Sequence, residues 1–344
     1  MINLLNKLLF LTFLTLFSSN AWSFSSSSFL ISQSAYKNYD YSESISNFSK
    51  MDLYLSSTVL LDKLISSIII DDIEIAYQIA NKLLIEDKDN QEAYIVKLAY
   101  YLKNKDYTQI KNFQNEINIE NNLIQYIFFN DTDIKDYKSI SNSLVEIVVS
   151  SFSNADQRIL NYNFLLFYIS LANLIYPQND RAVIIKGELF QNIKKDNTAR
   201  DIFENINKKS DFYLEAQKSL AYNYSTFLPY KDAEEKILQL LKNTDNNYFI
   251  KKILADFYRY KKEYKLAISI YNELISEKME DMWNIYYMRG ICYERLGDWT
   301  KAEKDFLISL EINPGSPNVL NYLAYGWIER DMKLDKSLKM LEEA

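Results

Sequence analysis

Three pairs of adjacent carboxylates, Asp71 with Asp72, Glu234 with Glu235 and Glu342 with Glu343, are the residues of this 344-residue chain whose types come nearest to chemistry. Two carboxyl groups facing each other across a cleft can divide the roles of general acid and general base. Neighbours along a helix diverge in direction, and nothing in the sequence places any pair in a common cleft. Histidine is absent, which removes imidazole bases, His-containing triads and His-ligated zinc together. Cys292 is the single cysteine, so neither a thiolate cluster nor an intrachain disulfide can form, and a buried, inert thiol is expected. The five glycines, Gly187, Gly290, Gly297, Gly315 and Gly326, never gather in one short loop, which excludes phosphate-cradling fingerprints. The chain is predicted to be no enzyme, with no catalytic residues, no cofactor and no metal.

The elements that carry these residues are predicted to be helices in pairs. In "YMRGICYERLGDWTKAEKDFLISLEINP", from Tyr287 to Pro314, Gly290 and Ala302 are the small residues that let two antiparallel helices approach. Tyr293 and Phe306 fill the space beside them, Gly297 supplies the turn and Pro314 ends the second helix. The pattern recurs at spacings of 34 or 35. Second-helix small positions run back from Ala302 through Ala267, Ala233 and Ala199 to Leu165, and first-helix ones from Gly290 through Ala255, Ala221 and Gly187 to Ser153. Bulky second-helix positions follow the same step, at Phe306, Tyr271, Ile237, Phe203 and Ile169. One such pair cannot bury its own apolar face, so stacked neighbours are required.

From about Leu165 onward these residues resemble tetratricopeptide (TPR) repeats. "NVLNYLAYGWIERDMKLDKSLKMLEEA", at the end of the chain, is similar to a segment of envelope TPR proteins of alphaproteobacteria, with Ala324 and Ser337 standing where Gly and Ala are usual. The resemblance implies an all-α fold, a right-handed TPR-type α-solenoid of antiparallel helix pairs. Composition agrees: 5 Gly and 4 Pro are too few for the turns of a β-rich chain of this length. Tyr and Phe, 28 and 19 in number, are mostly assigned to positions between helices.

Four segments are predicted. Residues 1–23 read as a secretory signal, with an apolar run from Leu8 to Phe17 and an Ala21-x-Ser23 exit. An uncleaved anchor is the alternative, and the sole route considered to a membrane. Residues 24–125 hold divergent TPR-like helical repeats, 126–152 an irregular or atypical helical segment, and 153–344 the TPR solenoid. The last repeat is expected to be truncated, since Ala344 falls inside its second helix.

Charge limits the partners. The net charge is −7 and no basic block is present, which disfavours nucleic acid and anionic membranes. In TPR arrays the first helix of each pair lines the inner face, and on that template Tyr222, Phe249, Lys252, Arg259, Tyr287, Asn321 and Tyr325 are predicted to form a partner-binding groove. Some of these aromatics equally suit the core between repeats. The predicted function is a non-catalytic scaffold or adaptor, exported to the periplasm or cell envelope, that binds a peptide or helix of a protein partner. The alternative is a regulatory or substrate-recruiting arm of an enzyme whose catalytic domain lies downstream or on another chain.

Overall fold

The computed structural model describes residues 27–48, 55–116, 122–130, 133–154, 160–277 and 282–344. The signal predicted over residues 1–23 lies outside them. The protein is all-α, a TPR-type solenoid of adjacent antiparallel helix pairs, and it divides into two compact units, Met1–Ile206 and Asn207–Ala344. The division falls inside the stretch predicted as one solenoid, 153–344, and not in the atypical segment.

In the first unit α1 (27–37) precedes α2 (Tyr41–Phe48), α3 (Ser57–Ile69) pairs with α4 (Ile73–Glu86), and α5 (Gln91–Lys103) with α6 (Tyr107–Glu116). The atypical segment contains the end of α7 (Asn122–Phe128), a two-stranded hairpin of β1 (Phe129–Asn130) and β2 (Asp133–Ile134), and most of α8 (Tyr137–Asn154). Then come α9 (Tyr162–Ile175), α10 (Asp180–Asn192) and α11 (Asp196–Glu204).

Helix α9 is buried along most of its length, and Leu166, Phe167, Ile169, Leu171 and Ala172 are all fully buried. Burial on that scale needs cover on several sides. It packs against α8 and α10, its neighbours in sequence, and also against α3 and α5. Polar links fix this arrangement: Tyr41 donates to Asn163 Oδ1 at 2.8 Å, and the Ser141 hydroxyl donates to the Ala172 carbonyl at 2.8 Å.

The second unit is serial. Helices α12 (Tyr213–Phe227) and α13 (Tyr230–Asn243), α14 (Tyr248–Tyr260) and α15 (Tyr264–Glu277), α16 (Met282–Arg295) and α17 (Trp299–Ile312), and α18 (Pro317–Ile328) and α19 (Leu334–Glu343) form four pairs in chain order. The predicted small-residue register is realised in both units. Ala199, Ala233, Ala267 and Ala302 are fully buried, and the Phe203 and Phe306 rings fill the space left by the missing side chains of Gly187 and Gly290. Each such buried aromatic removes a whole side chain from water, worth about 1.5–3 kcal/mol.

The scarcity of glycine has a local explanation. Gly297 takes a left-handed φ of +80° at the turn between α16 and α17, and the same turn recurs with Lys262, Asp331, Lys194, Lys105, Asp71 and Tyr39 at positive φ. In each case the following amide donates back to a carbonyl five residues earlier, as in Asp298 to Tyr293 at 2.9 Å and Glu263 to Tyr258 at 2.8 Å. These are the bonds of a Schellman helix end. Asp72 and Asp298 then accept an amide in the first turn of α4 and α17, and Asn90 does the same for α5.

Candidate partner-binding face

The first helices of the second unit, α12, α14, α16 and α18, carry all seven residues predicted for the groove. Tyr222 on α12 and Phe249 at the start of α14 are half exposed, and Lys218, one turn before Tyr222, places its ammonium 4.1 Å from the centre of the Phe249 ring. That cation-π contact joins two consecutive first helices. Tyr222 is at the same repeat position as Asp256, Ile291 and Tyr325, counting steps of 34, 35 and 34. Tyr325 on α18 is 58% exposed, so both ends of this row present a phenol to solvent.

Between them stand the carboxylate of Asp256 and the partly buried Ile291. Asp256 on α14 accepts from the Tyr271 hydroxyl of α15 at 2.6 Å. Its carboxylate also lies 3.5 Å from Lys252 Nζ, one turn back, and 3.7 Å from Arg259 Nε, one turn on. In the structure it organises two of the predicted site cations, leaving one net positive charge on this stretch of α14. Arg259 Nε is sealed from water without a hydrogen bond. Burial and the Asp256 carboxylate hold the Tyr271 phenol far above its ordinary pKa, so it stays a donor. A Tyr at a bulky second-helix position, with an acidic residue 15 positions earlier on the first helix of the same pair, was the available signal for this contact.

Tyr287 requires a correction. Predicted to line the wall, it is instead 8% exposed and sits in the core of the last two pairs. Phe306 of α17 lies 6.1 Å from its ring centre and Tyr322 of α18 meets it edge-on at 5.8 Å, so the following first helix covers the face that was to be open. Asn321 is half buried. The structure therefore joins Tyr222, Phe249, Lys252 and Arg259 on α12 and α14, with Lys218 and Asp256 added, and sets Tyr325 two first helices further along.

Cys292 is fully buried on α16, and burial, eased only by Arg259, pushes its thiol up to about 12. It is therefore a protonated packing group at neutral pH. Among the described residues no group of three or more Cys, Asp or Glu could hold a metal ion, and no helix is long and apolar enough to cross a membrane.

This geometry defines a helical-repeat protein of the TPR class. The sequence model of the tetratricopeptide repeat matches residues 283–316, which span α16, α17 and the turn after them. A search of curated proteins found no match for the chain. Among solved structures the chain is similar to MamA, at 17% identity and a TM-score of 0.39 over 46% of this chain and 91% of that one. It is also similar to an RS-1 MamA ArsTM double mutant, at 13% identity and a TM-score of 0.41 over 48% of this chain and 92% of that one. The helix pairing and the matched repeat, which are independent of these likenesses, define the class.

Proposed function

We propose that the protein is a non-catalytic scaffold that holds a segment of a protein partner on the α12–α14 face. The observation that carries this reading is the pair of half-exposed rings, Tyr222 and Phe249, flanked by Lys218, Lys252 and Arg259 on adjacent first helices. Aromatic rings bury large area at low entropic cost, and surrounding cations select the charge of what docks there. The partner is accordingly an amphipathic peptide or helix with apolar anchors and carboxylates. The matched TPR repeat supports a protein-interaction role, since repeats of this kind build binding surfaces from stacked helices. An exported location in the periplasm or envelope belongs to the same reading and rests on the signal-like residues 1–23.

The test is capture from an envelope extract with the full chain and with the double variant Tyr222→Ala, Phe249→Ala. Both residues are half exposed, so the helical melt should be unchanged. Capture of the parent's specific partner should fall at least about tenfold. A folded double variant that retains the partner at full occupancy overturns the assignment of this face.

A further inference from the structure

Helix α19 carries a row of apolar side chains that is largely open to solvent. Leu334 and Leu338 are 54% and 60% exposed, and Leu341 is half buried. Spaced by four and by three, the three leucines share one face of the helix. Asp335 and Glu342, both exposed and seven residues apart, run along one edge of that face. Helix α19 is thus amphipathic, with apolar anchors and a border of carboxylates.

The repeat shows what these positions meet elsewhere in the chain. Leu334 is in register with Trp299, Tyr264 and Tyr230, and Leu338 with Glu303, Ile268 and Glu234, in steps of 35, 35 and 34. Trp299 lies against Gly326 of α18, and the Tyr230 ring stacks on Phe257 of α14 at 5.3 Å, so each meets the next first helix. Glu303 and Glu234 accept from Trp327 Nε1 and the Tyr258 hydroxyl of those same helices, each at 2.7 Å. This face of a second helix is therefore the one that an aromatic-bearing first helix covers. In α19 a leucine replaces the glutamate and offers no acceptor, so the surface that suits it presents ring faces rather than N–H or O–H donors.

Exposed rings on first helices, with cations beside them, are present on the protein itself. We propose that α19 of one copy docks on the α12–α14 face of another, joining copies head to tail. The stripe of Leu334, Leu338 and Leu341 meets the half-exposed rings of Tyr222 and Phe249. Asp335 and Glu342 meet Lys218 and the net positive charge of Lys252, Asp256 and Arg259. The assignment rests on the reading of that face as a docking face, and names its occupant as a second copy. Pairing α19 with α19 suits the charges less well, because antiparallel helices joined along this stripe bring their Asp335 and Glu342 edges together. A head-to-tail contact leaves one free face and one free helix in every pair, so it repeats.

Sedimentation velocity of the full chain tests the proposal. The mass of the parent should rise with concentration beyond that of a dimer over about 1–100 μM, and added salt should weaken the association. Leu338→Lys removes the helix half of the contact, and Tyr222→Ala with Phe249→Ala removes the face half. All three positions are exposed, so both variants should keep the helical melt of the parent, and each alone should be monomeric. Mixed in equal amounts they should form a one-to-one dimer and nothing larger, since one keeps the face and the other keeps the helix. A parent that stays monomeric at about 100 μM overturns the proposal without touching the face itself, which capture of a foreign partner reads separately. Association that survives in the face variant also overturns it, and assigns the contact to α19 with α19. So does a mixture in which the two variants fail to pair.

Discussion

The ring of Phe306 occupies the space that a β-carbon on Gly290 would need: a methyl built there stands 2.6 Å from Cε1 and 2.8 Å from Cδ1. The two helices of this pair are held at the distance that only the absence of a side chain allows. Phe306 is fully buried and braced by Trp299 and Tyr322, so it has nowhere to retreat. Gly290→Ala is therefore expected to cost about 1–3 kcal/mol in a denaturant melt. Gly315→Ala, with nothing within 4 Å of the new methyl, should stay within about 0.5 kcal/mol. Equal stability of the two variants would contradict the close helix contact.

A second expectation concerns the ion pair across the same helices. Arg289 Nε and Nη2 each donate to the Asp305 carboxylate at 2.7 Å, and Nη1 donates to Asn272 Oδ1 of α15 at 2.6 Å. The side chains are 16% and 4% exposed. Removing one partner leaves the other charge buried, so Asp305→Ala should destabilise by about 3–5 kcal/mol. The exposed pair Arg181 with Glu146 provides the contrast, and Glu146→Ala should cost no more than about 1 kcal/mol. Urea unfolding of both variants measures the difference.

The left-handed turns give a third. Gly297 and Lys262 occupy equivalent helix ends at φ of +80° and +66°, but only glycine adopts that region without strain. Gly297→Ala should lose about 1 kcal/mol, and Lys262→Gly should gain up to about 1 kcal/mol despite the greater freedom of its unfolded chain. Thermal melts in which both substitutions shift stability in the same direction would rule out strain as the cause.

The buried thiol of Cys292 supplies a pH dependence. Its pKa in the folded chain is raised to about 12, against an ordinary thiol value near 8.5 when unfolded. The folded state therefore holds a proton that the unfolded state releases. This contribution to stability is complete below about pH 8.5 and is lost progressively as pH rises towards 12. Over pH 9–11 the parent should lose stability more steeply than Cys292→Ala, by about one proton in the slope. Identical slopes would show that the thiol ionises as readily in the folded chain.

The repeat was legible in the sequence because its determinants are local and periodic. Gly290 with Ala302, Gly187 with Ala199, and the bulky Phe306 and Phe203 recur at 34 or 35 residues, since every pair of helices must solve the same packing problem with the same few positions. The absence of histidine and the isolation of Cys292 likewise bound the chemistry through composition alone, because no fold can bring together side chains that the chain does not contain.

Tertiary structure decided what depends on which neighbour covers a residue. Tyr287 and Tyr325 are both predicted to line the wall, yet Tyr322 of the next first helix packs on Tyr287, whereas Tyr325 is 58% exposed. No local pattern announces that Lys262 or Asp331 will take a left-handed turn, because the strain is local but the packing that offsets it is not. The burial of α9 is of the same kind, since α3 and α5 close over it from far earlier in the chain.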